Sequence, residues 1–251
     1  MKKKVFTVKY TTVGQQPITV SPIIEESDTM VLHQAGVMVN KKPDMVEWRV
    51  DDFLRNNSSI ELINLSKKVR RILGNIPLLM TLRTSEEGGM KDVTPQLYRK
   101  LLVFFIENQL ADVIDIECNT IGDQAAEVVK FAHENGIKTI MTHHDFDETP
   151  SNAVMEDSLR QMAATNADVV KLSVMPNSAV DVINLMLVTN KMNDELEVPV
   201  ATTAMGQIGK MSRIGGLLTG SMLTYASVGK ESTPGQINLD QTKQLIKAFS
   251  I

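Results

Sequence analysis

The sequence has little of several features that mark particular classes of protein. It contains a single cysteine, Cys118, so no disulfide can form within the chain, and we expect a reducing, cytoplasmic compartment. No apolar run approaches the length of a membrane span. Lysine and arginine total 26 against 30 acidic residues, which leaves no basic excess to neutralise a nucleic-acid backbone. We therefore expect a protein that binds neither nucleic acid nor membrane.

What the chain does have is a repeated alternation of short apolar segments and helix-like segments. With 251 residues, of which 43% are hydrophobic, it can bury a large core without cross-links. The β-rich segments are predicted at residues 17–21, 44–51, 77–83, 111–117, 136–144, 167–175, 198–205 and 220–228. The helical segments are predicted at residues 28–40, 58–74, 94–108, 123–135, 151–166, 178–193, 207–218 and 236–249.

This alternation predicts an α/β fold with parallel strands and helices outside them. Eight strand–helix units in a chain of this length predict a single-domain (β/α)₈ TIM barrel that spans residues 1–251. An open, doubly wound sheet is the alternative, but no Gly-x-Gly-x-x-Gly follows the first strand. Residues 1–14 precede the repeat, and their alternation predicts a short β-hairpin that closes one end of the barrel.

Charged residues on the second and third predicted strands indicate where a site lies. In such barrels the catalytic side chains lie at the carboxyl ends of strands, and strand residues point alternately inward and outward. Glu47, Arg49 and Asp51 share one face, which we predict to be the inner one. Arg83 ends the third strand and suits a carboxylate or phosphate. Charges inside a barrel must pair or bind something, so a structural ion-pair network is the alternative.

The fifth and sixth strands contribute a histidine and a lysine. His143 and His144 are adjacent and so face opposite sides, and strand parity predicts that His144 points inward as a general acid/base. Lys171 occupies the core of the sixth strand, where burial favours the neutral amine, a nucleophile towards a carbonyl carbon. The alternative is a buried ion pair of Lys171 with Asp115 or Glu117.

Two later segments complete the predicted site. Gly215-Gly216 lies near the seventh and eighth strands, where barrels often bind phosphate, although a tight helix–strand contact explains the pair equally well. The loop 229–236 is polar and turn-rich, which is typical either of a lid over the site or of an ordinary connection. No spacing of His, Asp and Glu resembles a zinc site, so we expect no metal.

The order and spacing of these segments resemble, over nearly the whole chain, the type I 3-dehydroquinate dehydratase family. The residues that carry the resemblance are Glu47-Trp48-Arg49-Val50-Asp51, Arg83 with Glu87-Gly88-Gly89, His144-Asp145-Phe146 with Thr149-Pro150, Lys171 before Val174-Met175-Pro176, Met205, Ser212-Arg213, and residues 232–236. The resemblance implies a homodimeric barrel lyase with no metal or organic cofactor. It would remove water from 3-dehydroquinate through a Schiff base, in the shikimate pathway of aromatic amino acid biosynthesis.

The resemblance also implies a role for each matching residue. Lys171 would form the imine, His144 would move the proton, and Glu87 would support that histidine. The substrate would be bound by Ser21, Glu47, Arg49, Arg83, Met205, Arg213, Ser232 and Gln236. The sequence departs from the family pattern at four positions. His143 stands where the family has Asn, Thr203 where it has Met, Tyr225 where it has Phe, and Thr233 where it has Ala.

Two other functions remain open at this point. A class I aldolase would share the imine-forming lysine but break a carbon–carbon bond. A barrel that only binds a small acidic ligand would hold Lys171 in a structural ion pair.

Overall fold

The computed structural model of the chain describes residues 4–89 and 92–249. Its strands are β1 (Phe6–Val8), β2 (Thr11–Val13), β3 (Ile18–Ile23), β4 (Met45–Arg49), β5 (Leu78–Thr81), β6 (Val113–Glu117), β7 (Lys138–Asp145), β8 (Val169–Val174), β9 (Val200–Ala204), β10 (Leu223–Ser227) and β11 (Ile237–Asn238). Its α-helices are α1 (Asp28–Lys41), α2 (Val50–Phe53), α3 (Ser59–Leu73), α4 (Pro95–Glu107), α5 (Cys118–Ile121), α6 (Ala125–Glu134), α7 (Asn152–Ala164), α8 (Ala179–Glu195), α9 (Lys210–Ile214), α10 (Gly216–Thr219) and α11 (Leu239–Phe249). Two 3₁₀ turns lie at Ser85–Glu87 and Gly122–Gln124.

The strands from β3 to β10 form a closed barrel. Each strand from β3 to β8 pairs in parallel with the next one along the chain, and β10 pairs in parallel with β3. The remaining join is between β9 and β10, where the Met222 amide donates to the Val200 carbonyl at 2.8 Å. The two-residue β11 lies beside β10. The predicted (β/α)₈ barrel is confirmed.

The helix boundaries follow ordinary capping chemistry, and the largest departure from the prediction lies between β9 and β10. Ser58 and Glu61 form a capping box at the start of α3, and Thr94 caps α4. The single helix predicted at 207–218 is divided into α9 and α10. A Cβ on Gly216 would lie 2.6 Å from the Ser221 carbonyl oxygen, so Gly215-Gly216 is a site of close packing.

The amino-terminal hairpin covers one end of the barrel. β1 and β2 are antiparallel, with Phe6 opposite Val13. Val8 and Val13 join the apolar cluster inside the barrel, and Lys9 Nζ donates to the Gly74 carbonyl at 2.9 Å. The predicted hairpin is therefore present at residues 6–13, whereas residues 1–3 lie outside the described part of the chain.

Alternation along the strands separates two apolar cores. Val46 and Trp48 of β4 point outward and pack under the helices. The inward residues nearest the hairpin form a second apolar cluster with Val20, Met45, Leu79, Val113, Ile140, Val169, Ala201 and Leu223. The next inward residue on each strand lies nearer the carboxyl end, where the site must be. In the described residues, no helix has both the length and the apolar character needed to span a membrane.

Candidate active site

A cavity opens at the carboxyl ends of the strands. Nine of the eleven predicted site residues line it: Glu47, Arg49, Arg83, Glu87, His144, Lys171, Met205, Arg213 and Ser232. The other two lie outside its lining. Ser21 Oγ donates to the Ala226 carbonyl at 2.9 Å, and Gln236 Nε2 donates to Ser232 Oγ at 2.9 Å.

Lys171 is buried at the centre of the cavity without a carboxylate partner. Its Nζ lies 2.9 Å from His144 Nε2 and 4.5 Å from the centre of the Tyr225 ring. Within the described residues it forms no ion pair. Burial lowers the pKa of Lys171 to about 8, and the positive charge of Arg83 acts in the same direction. A sizeable fraction of this amine is therefore neutral near pH 7–8.

His144 is oriented by the carboxylate of Glu87. Its Nδ1 lies 2.9 Å from Glu87 Oε2. Because a carboxylate only accepts hydrogen bonds, this contact assigns the ring proton to Nδ1 and leaves the Nε2 lone pair facing Lys171. Burial, followed by the charges of Arg83 and Lys171, lowers the pKa of His144 well below its ordinary value. The imidazole is thus neutral and its free nitrogen faces the cavity.

A glycine allows an aromatic ring to support that imidazole. Phe146 stacks beside His144 with ring centres 6.2 Å apart. Gly88 has a φ of +79°, and a Cβ there would lie 2.3 Å from the Phe146 ring. The glycine is required both by its backbone conformation and by this close approach.

Arg83 binds the two carboxylates that were alternative partners for Lys171. Its Nη2 donates to Asp115 Oδ2 at 2.9 Å and its Nη1 to Glu117 Oε1 at 2.8 Å. The attraction of these carboxylates outweighs burial and raises the pKa of Arg83 well above its ordinary range. The proposed ion pair of Lys171 with Asp115 or Glu117 is therefore absent.

The charged side chains of β4 also have partners within the protein. Arg49 donates to both oxygens of Asp51, at 2.9 and 2.8 Å, and Glu47 accepts from Thr81 Oγ1 at 2.8 Å. Asp51 lies in the first turn of α2 rather than on the strand. It is nevertheless fully buried beside Arg49, as the inward prediction required.

Arg213 of α9 is the second buried cation without a carboxylate partner. Its Nη2 donates to the Pro234 carbonyl at 3.1 Å, and its buried Nε has no hydrogen-bond partner. Burial lowers its pKa to about 10, with Glu231 opposing the shift. A desolvated guanidinium with a free donor is well suited to bind an anion.

His143 takes part in the site although strand parity places it on the opposite face from His144. Its side chain is 23% exposed, and its Nδ1 lies 3.2 Å from Glu87 Oε1 and 3.1 Å from Asn119 Nδ2. The sequence contains no signal for these contacts, since both partners come from other strands' loops. The remaining departures from the family pattern, Thr203, Tyr225 and Thr233, line the cavity. Residues 4–89 and 92–249 contain no group of three or more His, Cys, Asp or Glu side chains placed to hold a metal ion.

A closed barrel whose cavity holds an unpaired lysine against a neutral histidine is typical of (β/α)₈-barrel enzymes that attack carbonyl compounds. Comparison with known proteins narrows this class. The family profile described as type I 3-dehydroquinase matches residues 20–251. A catabolic 3-dehydroquinate dehydratase from Acinetobacter baylyi is 34% identical over 98% of this chain and 91% of its own. The chain belongs to the type I 3-dehydroquinase family.

Solved structures agree with this assignment. The crystal structure of 3-dehydroquinate dehydratase from Geobacillus kaustophilus superposes with a TM-score of 0.94 at 30% identity, covering 100% of this chain and 99% of the other. The type I enzyme from Clostridium difficile, solved with covalently modified comenic acid, gives a TM-score of 0.93 at 32% identity, covering 98% and 97% of the two chains.

Proposed function

We propose that this chain removes water from 3-dehydroquinate to give 3-dehydroshikimate, as a carbon–oxygen lyase of the shikimate pathway, with Lys171 as the Schiff-base residue. The observation that carries the proposal is the 2.9 Å contact between Lys171 Nζ and the unprotonated Nε2 of His144 in a cavity where no carboxylate pairs with the lysine. The names of the relatives support the same substrate.

The first step is attack of the neutral amine on the ketone carbon. Burial keeps part of Lys171 unprotonated at neutral pH, and His144 can take up and return the protons that move as the carbinolamine loses water. The product is an iminium cation on the lysine. Its positive charge serves as the electron sink, so the proposal includes neither a metal nor an organic cofactor.

Elimination follows from the same pair of residues. His144 Nε2 removes a proton from the carbon next to the iminium, and the electron pair moves to nitrogen as an enamine. The enamine then expels the β-hydroxyl, which takes the proton back from His144 and leaves as water. Glu87 stabilises the imidazolium through Nδ1. Hydrolysis of the conjugated iminium releases the product and restores Lys171.

Arg213 is the proposed partner of the substrate carboxylate, because its charge is buried and its Nε is unpaired. Ser232 lies at the cavity wall, and Gln236 acts through it by accepting from the Ser232 amide at 3.0 Å. Glu47 and Arg49 also line the cavity, where they would bind hydroxyls. Ser21 uses its hydroxyl proton on Ala226, so any contact that it makes with the substrate would be as an acceptor.

The decisive experiment mixes the protein with 3-dehydroquinate and follows the absorbance of the conjugated enone. The matched control is Lys171→Met, which keeps an unbranched chain but removes the amine. Borohydride added during turnover should attach one ligand mass to the peptide that contains Lys171. Enone formation without labelling of Lys171 would contradict the imine assignment, and cleavage into two carbon fragments would indicate an aldolase.

We also propose that the chain acts as a cytoplasmic homodimer. The outer side of α8 exposes Val180, Ile183 and Leu187, and the adjoining α9 and α10 expose Met211 and Leu218. Such an apolar surface is typical of an interface between subunits. Sedimentation should give a dimer for the natural chain and a monomer for Leu187→Asp. Val154→Asp, a change at a similarly exposed apolar residue of α7, is the control and should leave the dimer intact.

A further inference from the structure

The carboxylate of Glu87 is shared between two imidazoles. Its Oε2 meets His144 Nδ1 at 2.9 Å, and its Oε1 meets His143 Nδ1 at 3.2 Å. Arg83 Nη1 adds a longer contact of 3.4 Å to Oε2. His144 is nearly enclosed, whereas His143 is 23% exposed and exchanges protons with solvent directly.

Nδ1 of His143 has two possible partners that require opposite protonation states. With its proton absent, this nitrogen accepts from Asn119 Nδ2 at 3.1 Å; with its proton present, it donates to Glu87. The hydrogen bond to Glu87 raises the pKa of His143 above its ordinary value of 6.5, although burial opposes the shift. The charged ring carries a proton on both nitrogens, so protonation of His143 excludes the hydrogen bond from Asn119 and commits Nδ1 to the carboxylate that supports His144.

We propose that His143 is a positioning residue that sets the acid limit of the reaction by controlling how strongly Glu87 supports His144. When His143 is charged, Glu87 is partly neutralised, and a second positive charge lies beside the imidazole that must accept the substrate proton. His144 is then a weaker base and elimination slows. When His143 is neutral, the whole charge of Glu87 stabilises the imidazolium of His144.

Four further titratable groups surround this pair. Facing His143 or Glu87 are Arg83, Glu117, Cys118 and Asp145. Glu117 is held by Arg83, and burial raises the pKa of Cys118 away from the neutral range. His143 is the partly exposed member of the group, and its contact with Glu87 raises its pKa above the ordinary value of a histidine.

This inference rests on the proposed roles of Lys171 and His144, and a single-turnover experiment tests it separately from them. With the substrate held as the imine, the free amine of Lys171 no longer contributes to the pH profile. Any titration of the imine nitrogen is common to the natural chain and to His143→Asn, so the difference between their profiles reports His143. The natural chain should show a step of about fivefold, with the lower rate on the acid side of the pKa of His143. His143→Asn should abolish the step and retain the higher rate. His33→Asn, at an exposed histidine of α1, is the matched control and should keep it.

A second variant tests the competition for Nδ1. Asn119→Ala removes the partner of the neutral ring from an exposed position, so the midpoint of the step should move to higher pH. An unchanged step in His143→Asn, shown by circular dichroism to be folded, would overturn the inference, as would an unmoved midpoint in Asn119→Ala. If His144→Asn retained full turnover, the proposed function itself would fail, whatever His143 does.

Discussion

Two layers of side chains fill the barrel interior, a lower layer near the hairpin and an upper layer two residues further along the same strands. The two layers have opposite chemistry. Near the hairpin the inward residues are apolar: Met45, Leu79, Val113, Ile140 and Val169. Two residues further along the same strands they are Glu47, Thr81, Asp115, Thr142 and Lys171, all buried. The backbone geometry is continuous through both layers. The choice of side chain alone converts a plug into a reactive cavity.

Most polar groups of the upper layer have a structural role. In the upper layer Asp115 is held by Arg83, and Glu47 by Thr81, so these groups are satisfied within the protein. Lys171 and Arg213 are the buried cations of the described cavity that form no ion pair. An unpaired buried charge destabilises a fold, so we infer that these two residues are present for function although they lower stability.

The largest effect on the reaction rate is expected when Lys171 of the upper layer is replaced by an apolar residue, as in the lower layer. Lys171→Met should reduce the dehydration rate by at least about 10⁴-fold, because no other amine replaces the imine-forming group. The variant should also resist borohydride labelling. Turnover comparable to that of the natural chain would show that the lysine belongs to the structure rather than to the chemistry.

The same variant should be more stable than the natural chain. A lysine whose pKa falls from 10.5 to about 8 on folding destabilises the folded state by about 3 kcal/mol below pH 8. That penalty declines as the pH rises from 8 to 10.5, because across this window the folded lysine has lost its proton while the unfolded lysine still holds one, and it vanishes above 10.5, where both are neutral. Denaturant unfolding across this range should show the advantage of Lys171→Met shrinking, and an advantage that grows with pH would contradict the assigned pKa.

Substitutions in the lower layer should change the stability of the protein and leave its catalytic rate unchanged. Leu79→Ala leaves a cavity in the apolar plug and should lower the free energy of unfolding by about 2–5 kcal/mol. The rate per folded molecule should be unchanged. Leu97→Ala, at an exposed leucine of α4, is the control and should change stability by less than about 0.5 kcal/mol.

His144 tests whether the upper layer works through a proton carrier. His144→Ala should slow elimination by roughly a hundredfold or more while the imine still forms and accumulates. Mass spectrometry after borohydride treatment would detect the accumulated adduct. A stronger effect from His143→Ala than from His144→Ala would mean that the proton moves through the outer ring.

The smallest effects are expected at the cavity wall, graded by charge. Arg213→Ala should raise KM by about tenfold to a hundredfold, because it removes a charge-assisted contact made to substrate and transition state alike. Ser232→Ala should cost about 0.5–1.5 kcal/mol of binding, since it removes a neutral donor from the wall, and Gln236→Ala should cost no more than this, since Gln236 acts through Ser232. Equal effects at all three positions would argue against Arg213 as the carboxylate partner.

Protease cleavage of the 229–236 loop, with and without a substrate analogue, tests whether this loop closes over the cavity.

Strand parity explains why so much of this arrangement is predictable from the sequence. Once β4, β7 and β8 are recognised, a period of two places Glu47, His144 and Lys171 inside the barrel, and parallel pairing brings their carboxyl ends together. The alternation of strands and helices likewise leaves few topologies to consider.

What the sequence could not supply is the choice among partners. Arg83, Asp115 and Glu117 are all inward by parity, but only the three-dimensional distances show that the arginine takes both carboxylates and frees Lys171. The contact of His143 with Glu87 joins a strand to a 3₁₀ turn after another strand, and no local pattern encodes it. The close approach of Gly216 to Ser221 and Pro17 likewise appears only in three dimensions.

The join between β9 and β10 has a consequence for the timing of motions in the barrel. Apart from the Met222 amide, this seam depends on a side chain, because the Thr202 amide donates to Ser221 Oγ at 3.0 Å instead of to a neighbouring strand's carbonyl. A hydroxyl rotates more readily than a backbone ladder separates, so amide deuterium exchange should begin here and reach β6 last. Arg213 lies on the segment that links these two strands. Exchange at this seam would therefore report motion at the level of the apolar plug, next to Ala201 and Leu223, while the cavity at the carboxyl ends of the strands stays intact.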